Sequence, residues 1–280
     1  MTPLRRPPLL ARASRALWSA VLLFVLLGLG LGARYLQDRT MVAGVAHTVD
    51  GNRRLPPTQR FAEYVRFAHE QVRKNRKPED VQPGLMRMYY RFNPTHPGPA
   101  DVLRHGTDYR GGCGSHVRVV VAMLHAAGID ARPLIILGPQ GQNIHTVVQA
   151  RIDGRWVVAD ALYGIVFHTA DGRLATVEDL VREPQNFVRQ VRGVRGYDML
   201  NYNYDDVTAF NWNKIPVILP AARKLLVLAL GEARVREWQR PIVWMWPAAF
   251  YASLCFAIAG FCALLALAGG AARRRFRPRA

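Results

Sequence analysis

Two long apolar runs stand apart from the mixed hydrophobic and polar pattern of the rest of the chain. The first, Ala16–Ala33, has 18 residues without a charge and arginines on both sides, close to the shortest length that spans a bilayer. The second has 32 uncharged residues between Arg240 and Arg273 and begins with aromatic side chains, which favour a membrane–water interface. We therefore predict membrane-spanning helices at 16–33 and 244–270. We interpret the first as an uncleaved signal anchor because it exceeds the usual apolar length of a signal peptide; a cleaved signal peptide is the alternative.

Between these runs the first elements are helical. Apolar residues at steps of three and four predict a helix over 57–75 with Thr58 as N-cap, and Pro99–His105 is typical of a short helix that begins with proline. The β-branched run Val117–Val121 favours a strand by itself. We nevertheless predict a helix there, because the apolar pattern continues to Gly128, a natural helix C-cap.

Strand-like sequences follow this helix. The run ARPLIIL is β-rich, and two further β-rich runs joined by Asp153 and Gly154 predict a β-hairpin. Farther on, Thr176 and Asp179 have the spacing of a capped short helix. An amphipathic stretch after Pro220 suits a helix lying on the bilayer or packed on the domain. The middle segment is therefore α+β, a helix backed by an antiparallel sheet.

The patterns divide the chain into consecutive parts. We predict a basic tail (1–15), a membrane helix (16–33), a linker (34–56), a folded domain (57–184) that includes an ordered loop at 76–98, an extension with the amphipathic helix (185–240), a second membrane helix (244–270) and a basic tail (271–280).

Positive charge determines the predicted topology. The two tails carry nine arginines, half of the formal charge of +18, and arginine-rich flanks stay on the cytoplasmic side of a membrane. We expect a protein of a bacterial inner membrane with both termini cytoplasmic and the folded domain periplasmic. Because no nucleic-acid-binding motif is present, we assign the basic tails to topology and contact with membrane lipids rather than to nucleic acid.

Cys113 lies between glycines, directly before a predicted helix. The other two cysteines, Cys255 and Cys262, fall in the second apolar run as small apolar side chains, so Cys113 has no disulfide partner in the middle segment. It is therefore either a buried apolar side chain or a working thiol. A helix N-terminus lowers a thiol pKa, and free N–H groups beside Gly112 and Gly114 suit an oxyanion and a closely approaching substrate.

A cysteine nucleophile needs a base and a group that orients the base. His145 lies in the first hairpin strand, and counting outward from the turn pairs Asp160 with Val147, within one register step of His145. We expect the carboxylate to hold the Nδ1–H of the imidazole, since an acid in an apolar strand is costly without a partner. His116 is the competing base. Asn143 is a further substrate-loop or oxyanion candidate and the nearest other polar group for orienting His145.

These residues resemble the transglutaminase-like superfamily, relatives of papain-type cysteine proteases. The likeness covers about 105–170 and rests on Gly-Cys at a helix start, the step G-I-D-A-R into a strand, a histidine in one strand, and an aspartate after Trp-Val in the next. It implies a papain-like α+β fold with Cys113, His145 and Asp160 as catalytic residues. Val147 stands where many members have an aromatic residue, and Ala161-Leu162 where many have Pro-Thr.

The resemblance implies acyl transfer at an amide through a thioester, as in a protease, an amidase or a transamidase. We expect a protein, peptide or envelope-polymer substrate and no cofactor, and one cysteine with scattered histidines shows no metal-ligand spacing. The rival interpretation is a non-catalytic module of the same fold that binds a partner in an envelope or polysaccharide export assembly. The sequence leaves open the substrate, the second nucleophile and the oligomeric state.

Overall fold

The computed structural model describes residues 9–51, 53–74, 98–105, 112–210, 212, 218–236, 238–239 and 245–275. It divides into two compact units, one made of Met1–Gln37 with Trp246–Ala280 and the other of Asp38–Met245. In chain order, the elements are α1 (Leu9–Asp50), α2 (Pro57–Lys74), α3 (Pro99–His105), α4 (Cys113–Ala126), β1 (Ala131–Leu137), β2 (Asn143–Ile152), β3 (Arg155–Asp160), β4 (Ile165–Val166), α5 (Val177–Arg182), α6 (Pro184–Val191), β5 (Val207–Thr208), α7 (Ile218–Leu230), α8 (Glu232–Arg236) and α9 (Pro247–Arg275).

In the part of the chain that the structure describes, two helices are long and apolar enough to cross a membrane. They span Ala13–Asp50 and Pro247–Ala271, and little of their apolar surface is buried within the protein. Within the terminal unit the two helices meet where a Cβ added to Gly28 would lie 2.9 Å from the ring of Phe256. A small residue at such a crossing lets two membrane helices approach closely. The pair suggests that the chain is anchored in a membrane.

Helix α1 does not end with the apolar run. It continues to Asp50, through most of the segment 34–56 that we expected as a linker. The continuation has a periodicity that composition hides, because Asp38, Val42 and Ala46 lie four residues apart and all are buried. Asp38 also forms an ion pair at 2.6 Å with Arg104 of α3, which ties this part of the helix to the folded unit.

The folded unit has an α+β architecture, as the sequence predicted. Its sheet has the strand order β4-β3-β2-β1-β5, and the paired strands are antiparallel. The β2–β3 hairpin turns at Asp153 and Gly154, both with positive φ (50° and 76°). Helix α4 packs against β1, β2 and α2. The β-branched run 117–121 is helical because its side chains lie inside that packing rather than on a sheet.

The shorter helices agree with the sequence in place, with differences at their ends. Helix α2 begins at Pro57, one residue before Thr58, so Thr58 is inside the helix rather than its N-cap. Thr176 and Asp179 form a reciprocal capping box at the start of α5. Helix α7 begins at Ile218, before Pro220. Apart from Gly98, the loop predicted at 76–98 lies outside the described residues, and so do residues 1–8 and 276–280 of the two basic tails.

The main core reaches beyond residue 184, where we placed the end of the domain. Phe187, Val191 and Tyr204 pack in one buried cluster with Val147 of β2 and Val158 of β3. Strand β5 then pairs with β1 at the edge of the sheet. The segment from α6 to β5 is therefore part of the folded unit, and it brings additional side chains to the end of β2 where His145 lies.

Candidate active site

Cys113 is the first residue of α4. Gly112 is the N-cap in an extended conformation (φ −76°, ψ −173°), and it provides no side-chain cap. The first N–H groups of the helix thus receive no acceptor from a capping side chain. Among the residues that the structure describes, none lies within 4 Å of a Cβ added to Gly112 or Gly114. The half-buried thiol lies at the positive end of a 14-residue helix.

His145 and Asp160 form a buried pair. The imidazole Nε2–H donates to Oδ2 of Asp160 at 2.6 Å, and the two side chains are 1% and 0% exposed. The nitrogen is not the expected Nδ1, so Nδ1 is left for the thiol. The strand register agrees with the count from the turn, since Val148 pairs with Ala159 and the next position along places Val147 opposite Asp160. His145 is two residues from Val147 on the same face, so the contact is a diagonal one.

Both carboxylate oxygens of Asp160 are engaged. Oδ1 accepts the backbone N–H of Leu162 at 3.0 Å and that of Tyr163 at 3.4 Å, while Oδ2 faces the imidazole. These backbone donors belong to the turn that ends β3. A carboxylate buried in an apolar strand is stable here because each oxygen has a partner.

Two consecutive residues of β2, His145 and Thr146, form hydrogen bonds with the Cys113 thiol. Burial raises the pKa of Cys113, but the hydrogen bond and positive charge of His145, with hydrogen bonds from the hydroxyl and backbone of Thr146, outweigh it and hold the pKa below its ordinary value. Thr146 is buried. It follows His145 directly, so its position in the chain was the available signal, but a threonine in a strand is too common to single it out.

The pKa of His145 shifts in the opposite direction. Burial lowers this pKa, but the hydrogen bonds with Asp160 and Cys113 have the larger effect and raise it to about 9. A lowered thiol pKa beside a raised imidazole pKa favours a thiolate–imidazolium pair at neutral pH. The arrangement is able to supply a nucleophile and a proton donor from adjacent side chains.

Aromatic side chains from beyond residue 160 cover the pair. The ring of Tyr202 stacks on His145 with centroids 4.2 Å apart and planes 11° apart, and Tyr163 lies 6.0 Å away in a tilted orientation. Tyr197 contacts both tyrosines, at 4.8 and 5.2 Å. Nothing in the pattern of residues 185–240 indicated a contact with His145, although that segment contains Tyr197, Tyr202 and Tyr204.

The remaining candidates have other positions. Asn143 is exposed at the start of β2, separated from His145 by a bulge at Ile144. His116 is buried on α4, with Nδ1 3.3 Å from the carbonyl oxygen of Gly112. Among the residues that the structure describes, no group of three histidine, cysteine or acidic side chains is placed to hold a metal ion.

The structure thus brings Cys113, His145 and Asp160 together, and their catalytic roles stay predictions. In the comparison with known proteins, residues 59–161 fit the family model of the transglutaminase-like superfamily. No curated protein and no solved structure matches the chain. The matched segment ends directly after Asp160, so Tyr163 and Tyr202 lie outside it.

Proposed function

We propose, from the transglutaminase-like superfamily domain at residues 59–161, that this chain is a membrane-anchored cysteine enzyme that transfers acyl groups at amide bonds. The observation that carries the proposal is the buried His145–Asp160 pair at 2.6 Å beside a thiol at a helix N-terminus. A module that only bound a partner would gain nothing from a polarised thiol joined to a buried imidazole–carboxylate pair.

The reaction proceeds through a thioester. The Sγ of Cys113 attacks the carbonyl carbon of the substrate amide, and the imidazolium of His145 donates its Nδ1 proton to the leaving amine as the C–N bond breaks. In the second step a nucleophile attacks the thioester, His145 takes its proton, and the thiolate leaves. Water as that nucleophile gives hydrolysis, and an amine gives transamidation.

The helix terminus stabilises the tetrahedral oxyanion. Because Gly112 provides no capping side chain, we assign the N–H groups of Cys113 and Gly114 as donors to the developing negative charge. The helix dipole acts in the same direction. No residue of the described part of the chain fills the space beside Gly112 and Gly114, which supports a substrate backbone approaching at this point.

The two apolar terminal helices support a membrane location. From the arginine-rich flanks, we assign both termini to the cytoplasmic side of a bacterial inner membrane and the folded unit to the periplasm. The substrate class follows from that location: an amide-bearing protein, peptide or envelope polymer that reaches the outer face of the membrane.

A trapped acyl-enzyme tests the proposal. The full chain in detergent, carrying Cys255→Ala and Cys262→Ala so that Cys113 is its one remaining thiol, is incubated with a para-nitrophenyl ester as activated acyl donor. Intact-mass measurement is expected to show one acyl group, on Cys113, that hydroxylamine removes as it does a thioester. A labelled primary amine added to the acylated protein then separates transamidation from hydrolysis.

Two variants serve as controls. Cys113→Ser in the same background removes the thiol and is expected to abolish the hydroxylamine-labile adduct, while His145→Ala is expected to slow its formation strongly. A folded protein whose Cys113 takes up no acyl group, or takes it up at the same rate without His145, would contradict the proposal and favour the binding module.

A further inference from the structure

We propose that Tyr202 is a positioning residue for His145, supplied to the site by a segment outside the family domain. The inference rests on the proposed function of Cys113 and His145. It assigns to residues 192–204 a part in the reaction, since this segment follows α6 and lies beyond the matched residues 59–161.

The contact is a parallel stack. The centroids of Tyr202 and His145 are 4.2 Å apart and their planes differ by 11°, so the phenol ring covers one face of the imidazole. The edge of the same imidazole is occupied by Asp160 at Nε2 and by the thiol of Cys113. Rotation of His145 about its side-chain bonds would have to displace the phenol ring.

Tyr202 is itself held firmly. The ring of Tyr163 lies 6.4 Å from it in a tilted orientation, and the hydroxyl of Tyr163 donates to the carbonyl oxygen of Gly196 at 2.5 Å. Tyr197 meets Tyr202 edge-on at 5.2 Å, and its hydroxyl lies 3.3 Å from that of the buried Tyr204. The stacking ring is therefore joined to the hydrophobic core through its neighbours.

Stacking has two consequences for the chemistry. It keeps Nε2 toward Asp160 and Nδ1 toward Cys113, the orientation in which a proton can pass between thiol and imidazole. It also places the electron-rich face of a phenol against the ring that carries positive charge, which stabilises the imidazolium. Both effects favour the thiolate, so losing the aromatic face should raise the pKa of Cys113.

The pH dependence of Cys113 alkylation by iodoacetamide tests this without a substrate. The full chain with Cys255→Ala and Cys262→Ala is compared with the same protein carrying Tyr202→Leu, which keeps an apolar cover but removes the aromatic face. We expect the alkylation midpoint to move upward by roughly one pH unit, because the free energy of a desolvated cation–π interaction corresponds to a pKa change of about that size. Tyr202→Phe, which keeps the ring and loses the hydroxyl, is expected to have the same alkylation midpoint as the protein with Tyr202.

Leu200→Ser is the matched control in the same loop, because Leu200 is 94% exposed; it should leave the midpoint unchanged. His145→Ala is measured in parallel. If His145→Ala moves the midpoint and Tyr202→Leu does not, the role of Tyr202 is refuted and the proposed function stands. If neither moves it, the proposed function itself is refuted. If the midpoint of Tyr202→Phe is raised as much as that of Tyr202→Leu, the effect belongs to the hydroxyl and the stacking argument is overturned.

Discussion

Replacing Asp160 with asparagine should reverse the direction of its hydrogen bond with His145 while leaving the fold in place. Leu162 and Tyr163 both donate backbone N–H groups to Oδ1 of Asp160, so the amide oxygen of an asparagine must occupy that position. Its NH₂ group then faces Nε2, which has to accept instead of donate. The imidazole proton moves to Nδ1, and a neutral ring with Nδ1–H is unable to accept a proton from Cys113.

The expected loss of acyl transfer is large and the expected loss of stability small. Holding the base in the wrong tautomer costs on the order of 10²–10⁴-fold in rate in other triads. The substitution keeps both backbone hydrogen bonds and replaces a buried charge with a neutral amide, so the free energy of unfolding should change by only about 1 kcal/mol. Single-turnover acylation of Cys113 by a para-nitrophenyl ester, followed by intact mass, measures the first quantity, and urea unfolding measures the second.

Asp179→Asn is the matched control, because Asp179 is also a buried carboxylate but bonds to Thr176, Arg155 and Arg182. We expect it to leave the acylation rate near that of the wild type and to lower stability through the cap of α5. An Asp160→Asn protein that is acylated at the wild-type rate would refute the orienting role, and with it the tautomer argument.

Three further predictions concern pH, the core and topology. Acyl transfer from an amide needs the imidazolium of His145, whose pKa is raised to about 9. The rate of acyl transfer should therefore rise with pH as the Cys113 thiol ionises and fall again as pH passes about 9. A rate that stays level to about pH 10 would contradict this. Phe187→Ala should destabilise the folded unit by about 3–5 kcal/mol in urea unfolding, because the ring centroid of Phe187 lies 5.6 Å from that of Phe167 and 5.5 Å from that of Tyr204. A loss of stability below about 1 kcal/mol would place the residues after 184 outside the core. A reporter active only in the periplasm should be active when fused after Gly231 and silent after Ala280, and activity at the C-terminal fusion would exclude the two-span topology.

Much of the folded unit was readable from the sequence because local signals and packing agreed. The Asp153-Gly154 turn fixed the hairpin register, and the count outward from it brought His145 and Asp160 to the same end of the sheet. The choice of imidazole nitrogen was wrong because register places a side chain but does not orient its ring. That orientation depends on the diagonal offset of His145 and on the thiol on its other side.

Other features depended on contacts that a linear pattern does not carry. Helix α1 continues past the apolar run because a few buried positions four residues apart face the folded unit, too few to stand out among polar neighbours. Tyr202 reaches His145 across more than fifty residues of chain. No periodicity records such a contact, so the sequence pattern indicates no role for the aromatic segment after α6.

The pH dependence of Cys113 reactivity tests the account most directly. In the full chain lacking Cys255 and Cys262, we expect iodoacetamide to alkylate Cys113 measurably below about pH 7.5, because the imidazolium and the helix terminus stabilise the thiolate. Removing the imidazole by His145→Ala should move the onset to higher pH. A folded protein in which Cys113 stays unreactive at about pH 8 would contradict the account. It would make Cys113 a buried apolar side chain.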